Sequence, residues 1–175
     1  MNGPNRPLDR TDRQILALLQ EDARLANKEL AARIGLAPSS CHTRVQRLVA
    51  EGVLAGFHAE VRRDALGIGL EALVQVRMAR HRREDLDGLR RALRARPEVI
   101  EVFHLAGPVD LIVHVAVRDP DHLRELTLAG ISERDEVDRV ETALVFDGWR
   151  SSTWPDLIDD DSASGGPAQS PKISR

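Results

Sequence analysis

The chain has 175 residues, of which 42% are hydrophobic and 30% are charged, and its net charge is −3. A core can therefore be buried in one mid-sized domain or two small ones, while no apolar run approaches the roughly 20 residues that would span a bilayer. One cysteine excludes an internal disulfide framework, and the N-terminus has no apolar signal-like stretch, so a cytoplasmic location is predicted.

The charge is distributed unevenly along the chain. Residues 1–63 carry 10 Lys and Arg against 7 Asp and Glu, a net charge of +3. The remainder carries 15 and 21, a net charge of −6. This asymmetry has the sign expected if the first part of the chain binds DNA and the rest is an acidic domain.

Three helices are predicted in the first part of the chain, after a flexible arm over residues 1–7. Asp9 can cap a first helix that runs from Arg10 to about Gln20. A second helix places apolar residues three and four positions apart on one face: Leu30, Ala31 and Ile34. Gly35 can then turn left-handed and end that helix.

The third helix is predicted to begin at Pro38. Proline lacks an N–H, and N–H groups in the first turn of a helix have no intrahelical partner, so proline is tolerated there. Its apolar stripe is formed by Cys41, Val45, Leu48 and Val49. Cys41 is therefore predicted to be a small core residue. Hydroxyl, amide and guanidinium groups are left for the other faces. Two helices around a glycine turn, the second with polar groups facing out, form the helix-turn-helix pattern.

The polar face of the third helix suits DNA chemically. Arginine offers a fork of donors for guanine or a phosphate, and hydroxyls can reach base edges or the backbone. We predict base contacts for Arg44 and the hydroxyls, and phosphate contacts for Lys28 and Arg47. His42 either contacts phosphate or is solvated. The full predicted DNA-binding set is Lys28, Ser39, Ser40, His42, Thr43, Arg44 and Arg47. The alternative for this stretch is a pair of ordinary amphipathic helices whose polar face meets water.

The second part of the chain is predicted to be a separate domain. Residues 53–61 have period-two character and are predicted as a small strand or wing, and residues 62–69, with two glycines, as a hinge. Alternating and helical patterns then follow in the order β-α-β-β-α-β, which is the ferredoxin-like split unit of an α+β protein. The predicted strands cover 70–78, 99–105, 110–117 and 137–146, and the predicted helices cover 84–95 and 119–129.

One face of the predicted sheet is covered by the helices. The other face is too apolar to remain exposed to solvent, so a second subunit is expected to cover it. The residues predicted on that face are Gln75, Arg77, Ile100, Val102, His104, Ile112, His114, Ala143 and Val145. His104 and His114 would share a facing on neighbouring strands. No third ligand has suitable spacing, so packing or hydrogen bonding is expected there rather than a metal site.

Four segments are therefore expected: a helix-turn-helix domain over 1–56, a hinge with a short strand over 57–69, a ferredoxin-like domain over 70–154 and a disordered tail over 155–175. The tail follows from its aspartate run and its Ser, Gly and Pro content. No catalytic constellation, phosphate-binding glycine loop or paired-cysteine spacing is visible, so an enzyme is not predicted.

The chain resembles the Lrp/AsnC family, also called feast/famine regulators. The resemblance runs from about Leu8 to Thr153. It is carried by three segments: LDRTDRQILALLQEDARLANKELAARIGL, RVQRLVAEGVLAGFHAEV and AGPVDLIVHVAV. It implies a nucleoid-associated transcription regulator that binds double-stranded DNA. It also implies a homodimer formed through the ferredoxin-like domain, with four dimers often assembling into an octamer. An amino-acid-sensing module that does not bind an operator is the alternative function.

The resemblance also implies a free amino acid effector near the turn at 107–110. Relatives typically have Gly-x-Tyr/Phe-Asp there, whereas this chain has Gly-Pro-Val-Asp. An aliphatic effector, or none, is therefore expected over an aromatic one. Asp110 would hold the ammonium group of the effector or cap the turn, and the two roles are compatible. The predicted effector-binding residues are Ala106, Gly107, Val109 and Asp110.

Two departures from the family concern helix caps. Relatives usually carry Ser or Thr where this chain has Ala26 and Ala37, each just before a head helix. Asn27 is the alternative cap, one residue late.

Overall fold

The computed structural model describes residues 7–158. The predicted arm, up to residue 6, and residues 159–175 of the predicted tail lie outside this range. The chain forms two compact units. The described part of the first consists of residues 7–58 and 150–158, and the second consists of residues 59–149. No helix in the described part of the chain is both long enough and apolar enough to cross a membrane.

The first unit contains the three predicted helices: α1 (Arg10–Glu21), α2 (Asn27–Ile34) and α3 (Pro38–Ala50). Each contributes two buried side chains to one core: Ile15, Leu19, Leu30, Ala31, Cys41 and Leu48. The predicted stripe on α3 is confirmed at Cys41 and Leu48, with Val45 partly buried, whereas Val49 is exposed.

The strand predicted over residues 53–61 is wrong, because the structure has no strand there. Gly52 ends α3 with a φ of +71°, and the following segment stays irregular. Its alternating apolar side chains, such as Phe57 and Val61, are exposed. Alternation predicts a strand only where a neighbouring strand can take its hydrogen bonds, and none pairs with this segment.

Residues 153–158 pack on α1 and belong to the first unit. The Trp154 N–H donates to Gln20 Oε1 at 2.7 Å. Arg13 donates to the Asp156 carboxylate at 3.2 Å and to the Ile158 carbonyl at 3.2 Å. The prediction of a disordered tail is therefore wrong for residues 155–158. The indole of Trp154 itself remains outside the core, since this residue is 79% exposed.

The second unit is a four-stranded antiparallel sheet with its helices on one face, in the strand order β2-β3-β1-β4. The elements in chain order are β1 (Leu70–Met78), α4 (Arg83–Arg94), β2 (Val99–His104), β3 (Leu111–Val117), α5 (Pro120–Thr127) and β4 (Val137–Val145). A short 3₁₀ turn (Asp64–Leu66) lies in the predicted hinge, and a π-helical turn (Leu128–Ser132) continues α5. The β-α-β-β-α-β ferredoxin-like prediction is confirmed.

The core of the second unit lies between the sheet and its helices. Alternate residues of the two central strands are fully buried against them: Ala72, Val74, Val76, Leu111, Val113 and Val115. The helices contribute leucines at helical spacing: Leu89 and Leu93 from α4, and Leu123 and Leu126 from α5. The apolar side chains that recur every two residues on the strands thus pack against those that recur about every 3.6 residues on the helices, in one apolar layer.

The predicted facing of β2 is wrong, because an irregularity in the ladder falls between Val99 and Glu101. Val102 pairs with Val113 and packs against the buried core, so it lies on the helix side. His104 pairs with Leu111 on that same side, whereas His114 pairs with Glu101 on the opposite side. One extra residue in a strand reverses the facing of everything after it. The two histidines therefore do not share a face.

The sheet face without helices, called the open face from here on, carries a mixture of apolar and polar side chains. Strand pairing places there Glu71, Leu73, Gln75, Arg77, Glu101, Phe103, Ile112, His114, Ala143 and Val145. Of the residues predicted on this face, those of β1, β3 and β4 are confirmed. Burial of this face by a second subunit stays a prediction.

Gly69 is required where the chain enters β1. Its N–H donates to the Val117 carbonyl at 3.0 Å, and an added Cβ would lie 2.1 Å from the Arg118 carbonyl oxygen. Gly69→Ala must therefore displace backbone atoms of both strands. We expect it to lower the free energy of unfolding by about 1–3 kcal/mol, measured by urea denaturation.

The matched control is Gly88→Ala on α4, where an added Cβ would meet nothing within 4 Å. Alanine favours a helix interior over glycine, so this variant should gain about 0.5–1 kcal/mol. A Gly69→Ala protein as stable as Gly88→Ala would contradict the close strand approach.

Candidate nucleic-acid interface and ligand site

The turn between α2 and α3 has the geometry of a helix-turn-helix. Gly35 adopts a left-handed conformation with φ +70°, as predicted, and the Leu36 N–H then donates to the Ala31 carbonyl at 2.9 Å. The Asn27 side-chain amide donates to the Pro38 carbonyl at 2.8 Å. This bond joins the first residue of α2 to the first residue of α3 and fixes the two helix starts relative to each other.

The prediction that Asn27 caps α2 is therefore wrong, since its side chain bonds to α3 instead. Ala26 and Ala37 occupy the cap positions with extended backbone, and neither helix has a side-chain cap hydrogen bond. The prediction that Ala26 and Ala37 take the cap positions of these helices is confirmed.

α3 is held against α1 by two carboxylates at the start of α1. Asp9 and Asp12 form a reciprocal capping box, in which the Asp12 N–H donates to Asp9 at 2.8 Å and the Asp9 N–H donates to Asp12 at 3.2 Å. Arg44 donates to both carboxylates, at 2.7 Å and 2.8 Å, and Arg47 donates to Asp12. The Asp12 side chain is 0% exposed.

The ion pairs also change the acid–base properties of these groups. Burial raises the pKa of Asp9, but the hydrogen bonds from Arg44 and the Asp12 N–H outweigh this effect, so the pKa lies below its usual value. The hydrogen bonds to Asp9 and Asp12 raise the pKa of Arg44, and the bond to Asp12 raises that of Arg47. Both guanidinium groups thus carry their charge next to carboxylates of the same unit.

This cluster gives Arg44 and Arg47 a structural role that the sequence pattern did not reveal. Arg44 keeps 30% and Arg47 keeps 24% of its side chain exposed, while Arg47 Nη1 is buried without a partner among the described residues. Their spacing of three residues on α3, opposite an Asp-x-x-Asp helix start, is the signal that could have identified the pairing. Their predicted DNA contacts stay predictions.

The remaining predicted DNA-binding side chains are exposed. On α3 they are Ser39, Ser40, His42 and Thr43, and on α2 the predicted residue is Lys28. Ser39 and Thr43 are one turn apart, and the Thr43 hydroxyl donates to the Ser39 carbonyl at 3.0 Å, so its lone pairs face outward. Gln46 lies on the same exposed line, although it was not among the predicted contacts. The outward edge of α3 thus offers hydroxyl and amide groups.

Cys41, on the opposite side of α3, is fully buried, and burial raises the pKa of its thiol. The predicted role as a small core residue is confirmed.

The predicted effector turn lies between β2 and β3 in the second unit. It is closed by the Leu105 N–H, which donates to the Asp110 carbonyl at 2.9 Å. Gly107 has a φ of +154°, which favours glycine, and it is exposed together with Ala106. Val109 is partly buried. The turn therefore presents backbone groups and one apolar side chain at the end of the sheet.

Asp110 joins this turn to the end of β1. Its Oδ2 accepts the Met78 N–H at 2.8 Å, and its Oδ1 lies 3.1 Å from His81 Nδ1. The Asp110 side chain is 14% exposed, whereas that of His81 is 76% exposed. One carboxylate oxygen therefore has a structural role across two strands, and the other faces a side chain that can move. The structure thus supports a fold role for Asp110, whose carboxylate accepts an N–H of β1 instead of capping its own turn.

A second carboxylate holds the predicted hinge. Glu71 is nearly buried on the open face, where it accepts from Arg63 of the hinge and lies 2.7 Å from His114 Nε2. Burial raises the pKa of Glu71, but the bonds from Arg63 and His114 outweigh this and lower it below its usual value. His114 is therefore a hydrogen-bonding partner on the open face. Among the described residues, no group of three or more His, Cys, Asp or Glu could hold a metal ion.

Two models of known protein families match this chain, one over each candidate site. A family model described as winged helix-turn-helix DNA-binding matches residues 8–55, and one described as the Lrp/AsnC ligand binding domain matches residues 71–155. The chain is 38% identical over 148 residues to the HTH-type transcriptional regulator AldR of Mycolicibacterium smegmatis, which covers 85% of this chain and 86% of AldR. The chain belongs to the Lrp/AsnC family.

Solved structures of family members share the fold. A transcriptional regulator of Neisseria meningitidis, solved as a complex with L-Met, matches with a TM-score of 0.78 and 28% identity over 84% of this chain and 95% of that one. The crystal structure of AldR from Mycobacterium tuberculosis matches with a TM-score of 0.68 and 35% identity over 85% of this chain and all of that one. This protein is thus a DNA-binding transcriptional regulator of the Lrp/AsnC type with a ligand-binding domain.

The buried carboxylate of Asp12 should be the largest single polar contribution to the stability of the head, defined as residues 7–58. Asp12→Ala would leave Arg44 and Arg47 with one carboxylate between them and remove half of the capping box. We expect a loss of about 2–4 kcal/mol in the free energy of unfolding, because removing one partner of a buried ion pair leaves uncompensated charge. Thermal or urea denaturation measures it.

Glu29→Ala is the control, because it removes an exposed carboxylate that pairs with Arg33 at 2.6 Å on α2. An exposed helix pair contributes about 0.3–0.5 kcal/mol, so this variant should melt close to the unmodified protein. Equal losses from both variants would show that burial of Asp12 adds nothing.

Proposed function

We propose that this regulator recognises specific DNA sequences through the outward edge of α3. The observation that carries the proposal is the division of side chains on that helix. The arginines nearest the core pair with Asp9 and Asp12, while hydroxyl and amide groups are left exposed. Ser, Thr and Gln side chains can bond to base edges, and Gln can bond adenine with two hydrogen bonds.

Arg44 and Arg47 are proposed to position α3 first and to contact DNA second. A guanidinium has five donors, and Arg44 uses Nη1 for both of its bonds to Asp9 and Asp12. Its other donors can reach a phosphate or a base edge without breaking these ion pairs. Lys28 and His42, exposed on neighbouring helices, are proposed as phosphate contacts.

The protein is further proposed to act as a homodimer joined at the open face, with octamers as a higher assembly. Apolar side chains on the open face, such as Leu73, Ile112 and Phe103, support this, because an apolar sheet face favours a partner. A two-fold dimer would bind a pseudo-palindromic site with half-sites separated by whole turns of about 34–36 Å. The proposed location is the cytoplasm, in contact with the nucleoid, where such sites lie.

The effector is proposed to be a free amino acid bound at residues 106–110. The ligand-binding domain match and the L-Met complex of the Neisseria regulator support an amino acid. In this chain, Asp110 Oδ1 can exchange His81 for an ammonium group, and backbone N–H groups beside Gly107 can take a carboxylate. Val109 replaces an aromatic wall, so an aliphatic side chain should be preferred.

Thr43→Ala/Gln46→Ala tests the proposed base contacts. We expect it to weaken binding to a duplex selected from a random library by about 1–3 kcal/mol, while binding to random DNA stays nearly unchanged. The loss should fall on specificity, because these groups face outward and take no part in the head core. Titration of labelled duplexes by fluorescence anisotropy measures both affinities.

Thr11→Ala/Gln14→Ala makes the same chemical change at the same spacing on α1 and serves as the control. It should leave both affinities as they are. If the α1 variant loses as much specificity as the α3 variant, or neither loses any, the proposed role of the α3 edge is wrong.

Asp110→Asn tests the proposed ammonium contact. Asparagine keeps an oxygen for the Met78 N–H but loses the charge, so we expect the fold to persist and amino acid binding to weaken at least tenfold, or about 1.4 kcal/mol. Calorimetry with Leu, Ile, Val, Ala, Phe and Tyr on the unmodified and variant proteins measures the binding.

Asp138→Asn is the matched control, because Asp138 is an exposed carboxylate near Arg77 on the same sheet. It should bind the effector normally. Undiminished binding to Asp110→Asn would refute the ammonium contact, and tight binding of Phe or Tyr would refute the preference for an aliphatic side chain.

A further inference from the structure

The second unit carries its positive charge in one place. Residues 80–96, called the basic segment from here on, comprise the loop after β1, helix α4 and the two residues that follow it. They include seven arginines and only three carboxylates. The rest of the unit, over 59–79 and 97–149, has seven arginines and fifteen carboxylates. A net charge of +4 thus lies on a unit that is otherwise −8.

Arginines outside the basic segment are almost all paired. Within residues 59–149, all of which the structure describes, six of the seven outside the segment have a carboxylate within 4.0 Å: Arg62, Arg63, Arg77, Arg124, Arg134 and Arg139. Inside the segment only Arg83 and Arg90 approach one, and both approach Asp87, at 3.7 Å and 4.0 Å. The other five, Arg80, Arg82, Arg91, Arg94 and Arg96, have no such partner among the described residues.

These side chains are arranged for an external contact. Arg83, Arg90 and Arg94 are separated by seven and four residues, so they lie along one flank of α4, away from the buried Leu89 and Leu93. The Arg83 side chain is 94% exposed. The loop arginines at 80 and 82 are also exposed and continue the charge beyond the helix start.

A folded unit with many carboxylates could have neutralised these arginines internally. The arginines lie in one segment instead, where their positive charges repel each other. An anion bound from outside the unit would reduce this electrostatic repulsion. The planar fork of the guanidinium matches phosphate oxygens. The flank from Arg83 to Arg94 is about 16 Å long, over which one DNA strand presents roughly five phosphates.

We propose that the basic segment binds the phosphate backbone of duplex DNA, as a contact separate from that of the head. The inference rests on the proposed DNA binding by α3. Pairing within the first unit supports it, because four of the seven Lys and Arg residues in 7–58 already have carboxylate partners in that unit: Arg13, Arg33, Arg44 and Arg47. Phosphate contacts outside the head would add to the few that its unpaired cations can make.

Arg80→Gln/Arg82→Gln/Arg94→Gln in the full chain tests this. The number of phosphates contacted sets the slope of log Kobs against log salt, at about 0.9 per contact. Titrated on a random-sequence duplex of several helical turns over a range of salt, the variant should lose about 2–3 in slope if each arginine makes one contact. Random sequence suffices, since phosphate contacts do not depend on bases.

The control is Arg124→Gln/Arg134→Gln/Arg139→Gln, which removes the same charge from paired arginines of the same unit. Its slope should stay close to that of the unmodified protein. A slope unchanged in the first variant, or equally reduced in both, overturns the proposal.

Two further outcomes are informative. If the first variant binds DNA normally but sediments as a smaller assembly without DNA, the basic segment contacts an acidic surface of another copy, and the proposal is overturned. If the unmodified protein binds neither random nor selected duplex, the proposed function fails and takes this inference with it. If the unmodified protein binds DNA and the first variant has the same salt slope, this inference is wrong while the proposed function stands.

Discussion

The head depends on one carboxylate that is removed from water and surrounded by donors. Asp12 accepts the Asp9 N–H, Arg44 and Arg47, so a single side chain connects the start of α1 to two successive turns of α3. A buried charge of this kind is stable only when its hydrogen bonds are satisfied. The orientation of the recognition helix is thus set by an electrostatic contact as well as by apolar packing. The consequence is a helix whose arginines are held before any DNA arrives.

These ion pairs reduce the positive charge that the head presents to solvent. Guanidinium groups beside Asp9 and Asp12 contribute less to a long-range attraction for DNA than free ones, because their fields are partly cancelled. The edge of α3 that remains exposed carries hydroxyl, amide and imidazole groups, and side chains of these kinds can read base edges. The largest group of arginines without a carboxylate partner among the described residues lies instead in the basic segment of the other unit. Under the two proposals for α3 and for the basic segment, specificity and affinity would come from different surfaces of the same chain.

The sequence was sufficient where local periodicity decides the structure. The helices of the head, the left-handed Gly35 and the alternation on β1 and β3 all follow from patterns within a few residues. The failures have long-range causes. Arg44 pairs with Asp12 across 32 positions, and Asn27 bonds to Pro38 across 11, so no single local pattern contains both partners of either contact. The facing of Val102 and His104 reversed because of a ladder irregularity near Ile100, which no period of two can reveal. Residues 53–61 alternate like a strand but have no strand beside them.

The candidate ligand site shows the same limit. The sequence predicted the turn and its Asp110, but not that one oxygen of this carboxylate would accept the Met78 N–H. A polar group that supports the fold and faces a ligand has only part of its bonding capacity available. In this site, the oxygen that does not bond to β1 lies 3.1 Å from His81 Nδ1, on the side of the exposed loop after β1. The identity of that neighbour depends on the packing of two strands and could not follow from the turn sequence.

The C-terminal segment that packs on α1 also gives the protein a built-in optical probe. The chain has two tryptophans and no tyrosine: Trp154 lies in this segment and is 79% exposed, and Trp149 lies shortly before it and is 89% exposed. They stand on either side of the point where the chain passes from the second unit back to the first. Neither apolar core contains an indole. Intrinsic fluorescence of this regulator therefore originates at Trp149 and Trp154, and its emission maximum reports how far water reaches these two side chains.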